Sequence, residues 1–191
     1  IPKIIFIASA CLLISFVTPS SAAQKNKKQA QNYRDQGYEA QRAGNLDMAL
    51  SYYQRAIGLD PEYAEAYNDI GIVLEAKGKT AKAKEAYLRA LTLKPKLLSA
   101  YYNVAALYER EGEIEKAAYY WKMRVQLGDW SDVWTWRAKQ QLDALQASGK
   151  LQEAGVSIEG DVALGFGSNP KRDAQYHLFQ ARQQIFNGDY V

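Results

Sequence analysis

Residues 64–97 read AEAYNDIGIVLEAKGKTAKAKEAYLRALTLKPKL, and this stretch decides the fold. In its first half Ala66, Tyr67, Ile70, Gly71 and Leu74 recur at spacings of three and four, which sets them on one face of a helix. Gly78 ends that helix, because glycine enters the left-handed conformation without a side-chain clash. The second half repeats the pattern with Ala83, Ala86, Tyr87, Ala90, Leu91 and Leu93. Pro95 then stops it, having no amide hydrogen to donate and disfavouring helix in the residue before it. The stretch is predicted to be a hairpin of two helices.

The same hairpin recurs when the chain is shifted by 34 residues. Tyr33, Tyr67 and Tyr101 then align, as do Gly37, Gly71 and Ala105, and Gly44, Gly78 and Gly112. Ala49, Ala83 and Ala117 fall together, then Tyr53, Tyr87 and Trp121; Ala56 matches Ala90 and Pro61 matches Pro95. One hairpin cannot bury its own apolar face, so the copies must stack into a solenoid. Gly71 and Ala83 are expected where the two helices of a hairpin cross most closely. Tyr67 and Tyr87 are expected in the wider gaps, and Ala90 leaves room for the next repeat's first helix.

This arrangement of aromatic, small and proline residues resembles the tetratricopeptide repeat (TPR) family. Residues 30–63 and 64–97 match it nearly throughout, and 98–131 match until Arg124 and Asp129, which stand where alanine and proline are usual. That departure predicts that the third repeat's second helix faces something other than a standard fourth repeat. The resemblance implies an all-α fold, a right-handed superhelical α-solenoid of TPR helix-turn-helix hairpins that binds a protein or peptide partner in its concave groove.

In the family, the first helices of successive repeats line that groove. Carried onto this chain, the facing residues are Gln31, Arg34, Tyr38, Gln41 and Arg42 in the first repeat. They are Glu65, Asn68, Ile72, Glu75 and Ala76 in the second, and Ser99, Tyr102, Ala106, Glu109 and Arg110 in the third. Arg34 and Arg42 are fork-shaped donors suited to a carboxylate, and Asn68 can bond the backbone of an extended peptide. Tyr38 and Tyr102 offer broad amphipathic surface over an apolar floor at Ile72, with Glu75 and Glu109 as an acidic edge. The set suits an extended or helical peptide of mixed character. Some family members clamp the acidic C-terminal tails of heat-shock chaperones. Here Arg34 could stand for one clamp residue, but Tyr38 and Asp69 occupy places where amides are wanted, so that specialisation is not expected.

The N-terminus reads as an export signal. Lys3 precedes an apolar run from Ile4 to Val17, Pro19 breaks it, and Ser21-Ala22-Ala23 supplies small residues before an expected cleavage at Gln24. The run is short of the ~20 residues that span a bilayer; an uncleaved anchor is the alternative. Cys11, the only cysteine, lies inside this run after Ala8-Ser9-Ala10, a faint likeness to a lipoprotein signal that the continuing Leu12-Leu13-Ile14 opposes. Residues 1–23 are thus expected to be a signal peptide, and 24–29 a basic stem carrying Lys25, Lys27 and Lys28. Once the signal is removed no thiol remains, which excludes disulfides, thiolate metal sites and a cysteine nucleophile.

Beyond the third repeat, Ser131 is the expected N-cap of a capping or spacer helix within 132–148, with an apolar stripe of Trp134, Ala138, Leu142 and Leu145. Trp130, Trp134 and Trp136 are read as core or cap packing, with an aromatic ligand patch as the alternative. Residues 149–172 are glycine-rich and read as a linker. Residues 173–191 resemble part of another TPR hairpin, in which Ala181 takes the small-residue place. The chain is expected to continue past Val191.

Chemistry is sparse. His177 is the only histidine, so a histidine relay or cluster would have to pass through it, and it reads as an ordinary packed or surface residue. The carboxylates near helix ends read as solvated surface. A net charge of +3 on 191 residues is too weak for nucleic acid, which wants a dense basic stripe. No cofactor or metal is expected, and the fragment is read as no enzyme. The function expected is an exported interaction scaffold, in bacterial periplasm or cell envelope. The alternatives are an accessory repeat domain of a larger envelope enzyme or export apparatus, and self-association through the open solenoid end.

Overall fold

In the computed structural model, residues 21–155 are described, and among them every regular element is a helix. Three hairpins come first: α1 (Ser21–Arg42) with α2 (Leu46–Leu59), α3 (Ala64–Ala76) with α4 (Thr80–Leu93), and α5 (Leu98–Arg110) with α6 (Ile114–Leu127). Then follow α7 (Val133–Ala147) and the single turn α8 (Lys150–Glu153). Each helix packs on its neighbours in sequence, and α7 and α8 lie against α6. The expected α-solenoid is what the chain forms.

The turns inside the hairpins are copies of one another. Gly44, Gly78 and Gly112 all have φ between 71° and 79°. In each copy the residue after the glycine donates its N–H back across the helix end, as from Lys79 to the Leu74 carbonyl at 2.8 Å, while the glycine itself donates to Glu75 at 2.9 Å. Two orphan carbonyls are satisfied at each helix end by a conformation only glycine takes readily.

Within a hairpin the contact differs from the expectation. At Gly71 the partner helix arrives as the ring of Tyr87, which a Cβ at Gly71 would overlap. A Cβ at Gly37 would likewise lie 2.6 Å from the ring of Tyr53. Tyr87 therefore fills the tight place, not a wider gap, while Ala49, Ala83 and Ala117 are sealed nearby in the same core. In the third copy the pair becomes Ala105 with Trp121, both buried.

Between hairpins, Ala56 and Ala90 are fully buried at the seams. Ala56 clusters with Ala66, and Ala90 with Ala100 of the next first helix and with Leu97 just before it, as the sequence suggests. At the third seam the same place holds Arg124, which is 2% exposed. Asp129, where proline was usual, accepts from the Ser131 amide at 2.7 Å and makes the turn by side-chain bonding instead. The cap of α7 is Asp132, not Ser131: its carboxylate accepts from the Trp134 amide at 3.1 Å. The buried stripe of α7 is Thr135, Ala138, Leu142 and Leu145, and Trp134 stands 46% exposed outside it.

Two departures concern the ends. Lys25, Lys27 and Lys28 lie on α1 itself, which runs on from the first repeat as one helix with these residues exposed. The stretch expected to be a linker from residue 149 opens with α8. Residues 1–20, with Cys11 and most of the expected signal, and residues 156–191, with His177, Ala181 and the expected partial repeat, lie outside the described residues. None of the described helices is long and apolar enough to cross a membrane.

Gly71→Ala should destabilise the chain by about 1–3 kcal/mol, because the Tyr87 ring must move. Gly58→Ala, in α2 with open space around it, should gain about 0.5–1 kcal/mol from helix propensity. Urea unfolding of both variants checks the contrast, and equal effects would show that the ring contact is unimportant.

Candidate functional site

The first helices α1, α3 and α5 stand side by side, and their groove residues meet across repeats at a separation of 35 residues. Arg34 Nε donates to Asp69 Oδ2 at 2.6 Å, Asn103 Nδ2 donates to Asn68 Oδ1 at 2.9 Å, and Arg110 pairs with Glu75. Several expected ligand contacts are therefore occupied as struts between repeats. Asn68 is only 5% exposed, so little of it reaches a partner. Burial raises the Asp69 carboxyl above its ordinary range even though Arg34 pulls it down. The Arg34 guanidinium is held protonated by that carboxylate against the same burial. Removing Arg34 would leave Asp69 buried and uncompensated.

A second set of bonds ties each first helix to its own second helix. Tyr53 Oη donates to Gln41 Oε1 at 2.9 Å, Tyr87 Oη to Glu75 Oε2 at 2.9 Å, and Trp121 Nε1 to Glu109 Oε2 at 2.8 Å. Burial, with the Glu75 carboxylate beside it, raises the Tyr87 phenol further above its ordinary value. Gln41, Glu75 and Glu109 thus hold the groove wall upright before they can meet any ligand.

What stays open is aromatic. Tyr38 is 55% exposed, with the Arg42 guanidinium 5.9 Å over its ring. Arg42 is exposed and makes only a 3.5 Å contact with Glu39. At the other end, Tyr102 stands with Trp121 at 4.9 Å and Trp134 at 5.0 Å between ring centroids, both nearly perpendicular. This edge-to-face geometry is the one aromatic quadrupoles favour. A hollow of about 400 Å³ opens there, lined by Ile72, Ser99, Tyr102, Asn103, Arg124 and Trp134.

Arg124, Asp132 and Thr135 build the wall of that hollow. The Arg124 guanidinium reaches from α6 to Thr135 Oγ1 at 2.7 Å and pairs with Asp132, and Thr135 Oγ1 donates to Asp132 Oδ2 at 3.1 Å. Gly128 is bare because a Cβ there would strike Thr135 and Arg124. Both Asp132 and Thr135 sit on the Arg124 side, so α7 turns Thr135 inward and Trp134 toward the groove. Sequence reasoning placed Arg124 as an oddity but missed its partners, and the signal available was the pair Asp132 and Thr135, one helical turn apart. Asn103 was missed because it lies next to the groove-facing place that Tyr102 holds. Of the three tryptophans after α6, Trp130 is core and Trp134 is the open one. Among the described residues no cluster of histidine, cysteine and carboxylates could hold a metal.

Asp132 gives a pH prediction. Burial raises its carboxyl, but the Arg124 hydrogen bond and the Trp134 amide outweigh burial and bring it below 3.8. A depressed folded value means stability present at neutral pH and lost as the pH falls through that value. Asp132→Asn should therefore cost about 3 kcal/mol at pH 7, since it strands a buried guanidinium. The deficit should narrow below pH ~4, where the wild-type carboxylate also protonates. Chemical denaturation of both proteins across pH 2–7 reads it, and a deficit independent of pH would refute the ion pair.

Comparisons place these observations among known proteins. The family described as tetratricopeptide repeat matches residues 34–97. No curated protein matches the sequence. Among solved structures, the TPR domain of Arabidopsis OM64 is 18% identical with a TM-score of 0.56, over 62% of this chain and 98% of that one. The first TPR of Spaghetti (RPAP3), bound to the HSP90 peptide SRMEEVD, is 17% identical with a TM-score of 0.58, over 64% of this chain and 94% of that one. MamA is 29% identical with a TM-score of 0.50, over 55% of this chain and 66% of that one.

Proposed function

We propose, on the premise that this chain is built of tetratricopeptide repeats, that it is a non-enzymatic scaffold outside the cytoplasm that holds a protein or peptide in the groove of its first helices. The observation that carries this reading is the pair of open aromatic stations, Tyr38 at one end and Tyr102 with Trp134 at the other, along a wall already braced by its own hydrogen bonds. A preorganised surface loses less entropy on binding, and exposed tyrosine and tryptophan are the usual anchors of such contacts.

The Spaghetti domain, a neighbour in fold, holds a peptide, which gives peptide binding a precedent. The acidic character of that peptide is not carried over, because Arg34 is already neutralised by Asp69. Tyr38, Arg42, Ile72 and Tyr102 remain the groove residues best placed to touch a partner. Gln41, Asn68, Glu75, Glu109 and Arg110 act chiefly by keeping the wall in shape.

Export rests on Lys3, the apolar run and the small residues Ser21 to Ala23. The periplasm or envelope is the proposed location. The alternative role, an accessory repeat domain of a larger envelope enzyme or assembly apparatus, uses the same groove and differs in what is joined to it.

Two experiments test this. Fusing residues 1–23 to a reporter that is active only after export should give activity outside the cytoplasm, and a reporter retained inside would remove the export claim. The full chain should capture a discrete envelope protein after crosslinking, and the double variant Tyr38→Ala, Arg42→Ala should capture about tenfold less of it at unchanged helical content. Undiminished capture would move the partner to another face.

A further inference from the structure

We propose that the hollow between α3, α5 and α7 is an anchor pocket for one large apolar side chain of an extended partner segment, and that the segment carries an Asp or Glu beside that anchor, met by Arg137. This rests on the groove reading above and names the partner chemistry at one end of it.

The pocket's dimensions suit the anchor. Its volume of about 400 Å³ falls in the range of sites that enclose small organic groups, and Ile72, Tyr102 and Trp134 give it apolar and aromatic walls. Trp134 is the telling residue. A tryptophan left 46% exposed leaves apolar surface in water that burial would otherwise stabilise. The helix could have turned it inward, since Trp134 stands four residues before Ala138 and Thr135 three, and both are helical spacings onto the buried stripe. The Asp132–Arg124–Thr135 latch holds it outward, toward Tyr102 and Ile72.

The charge preference follows from which arginines are already satisfied. Arg34 has Asp69, Arg110 has Glu75 and Arg124 has Asp132. Arg137 lies 4.6 Å over the Trp134 ring and makes no ion pair among the described residues. It is an exposed cation resting on the tryptophan that walls the apolar pocket, so a carboxylate next to the anchor finds both within reach. The recognition element is a side-chain carboxylate within the segment, not a chain terminus.

The test is to pan the full-length chain against a random peptide library displayed with no free C-terminus, then to measure enriched peptides by calorimetry. Enriched sequences should share a large apolar residue with Asp or Glu within two positions. A synthetic copy should bind equally as free acid and as C-terminal amide. Trp134→Ala should weaken it about tenfold or more. Arg137→Glu, an exposed change that leaves the fold intact, should weaken the acidic peptide and restore binding to a version with Lys in place of the acid. Enriched peptides with no apolar consensus, or Arg137→Glu without that reversal, overturn the pocket. Binding that fails with Tyr38→Ala, Arg42→Ala but survives both pocket variants leaves the groove standing and removes the pocket alone. No enrichment at all removes both. A chain that dimerises at micromolar concentration and becomes monomeric with Trp134→Ala assigns the pocket to a second copy and likewise overturns the proposal.

Discussion

An aromatic ring set against a residue with little or no side chain is the contact on which the rest depends. Tyr53 on Gly37, Tyr87 on Gly71 and Trp121 beside Ala105 each join two helices of one hairpin. The polar tip of each ring then reaches the other helix one turn on, at Gln41, Glu75 and Glu109. One residue thereby supplies apolar burial at its body and a satisfied donor at its tip. That explains why these three places hold tyrosine or tryptophan and not phenylalanine, which has no donor at its tip. It also fixes the angle of each hairpin tightly enough for the next to dock on it.

The first two seams and the third solve the same packing problem differently. Alanine at 56 and 90 lets the next helix approach, and the helix arrives at the same relative place each time. Arg124 is far larger, and its charge must be met inside the protein. Asp132, Thr135 and the bare Gly128 meet it. The consequence passes directly to the site, because the rotation of α7 that serves Arg124 also presents Trp134 beside Tyr102.

The fold was legible because small residues, turn glycines and prolines recur at a fixed interval, and each has a backbone or packing reason that survives without coordinates. The site was legible only by place. Arg34, Asn68, Glu75 and Arg110 do lie on the first helices. Their mutual pairing depends on the stagger between neighbouring helices, which no single repeat encodes. Trp134 and Thr135 were indistinguishable by periodicity, since both begin a stripe that continues through Ala138. A buried ion pair decided between them, and ion pairs are invisible until the chain is folded.

Gly149 adopts the same left-handed conformation as Gly44, Gly78 and Gly112, yet it follows Gly112 by 37 residues where the others are 34 apart. The array behaves like a screw whose last thread is cut out of phase. The turn after α7 is therefore built like the three before it but falls three residues late, so α7 stands out of step with the spacing that relates α1, α3 and α5.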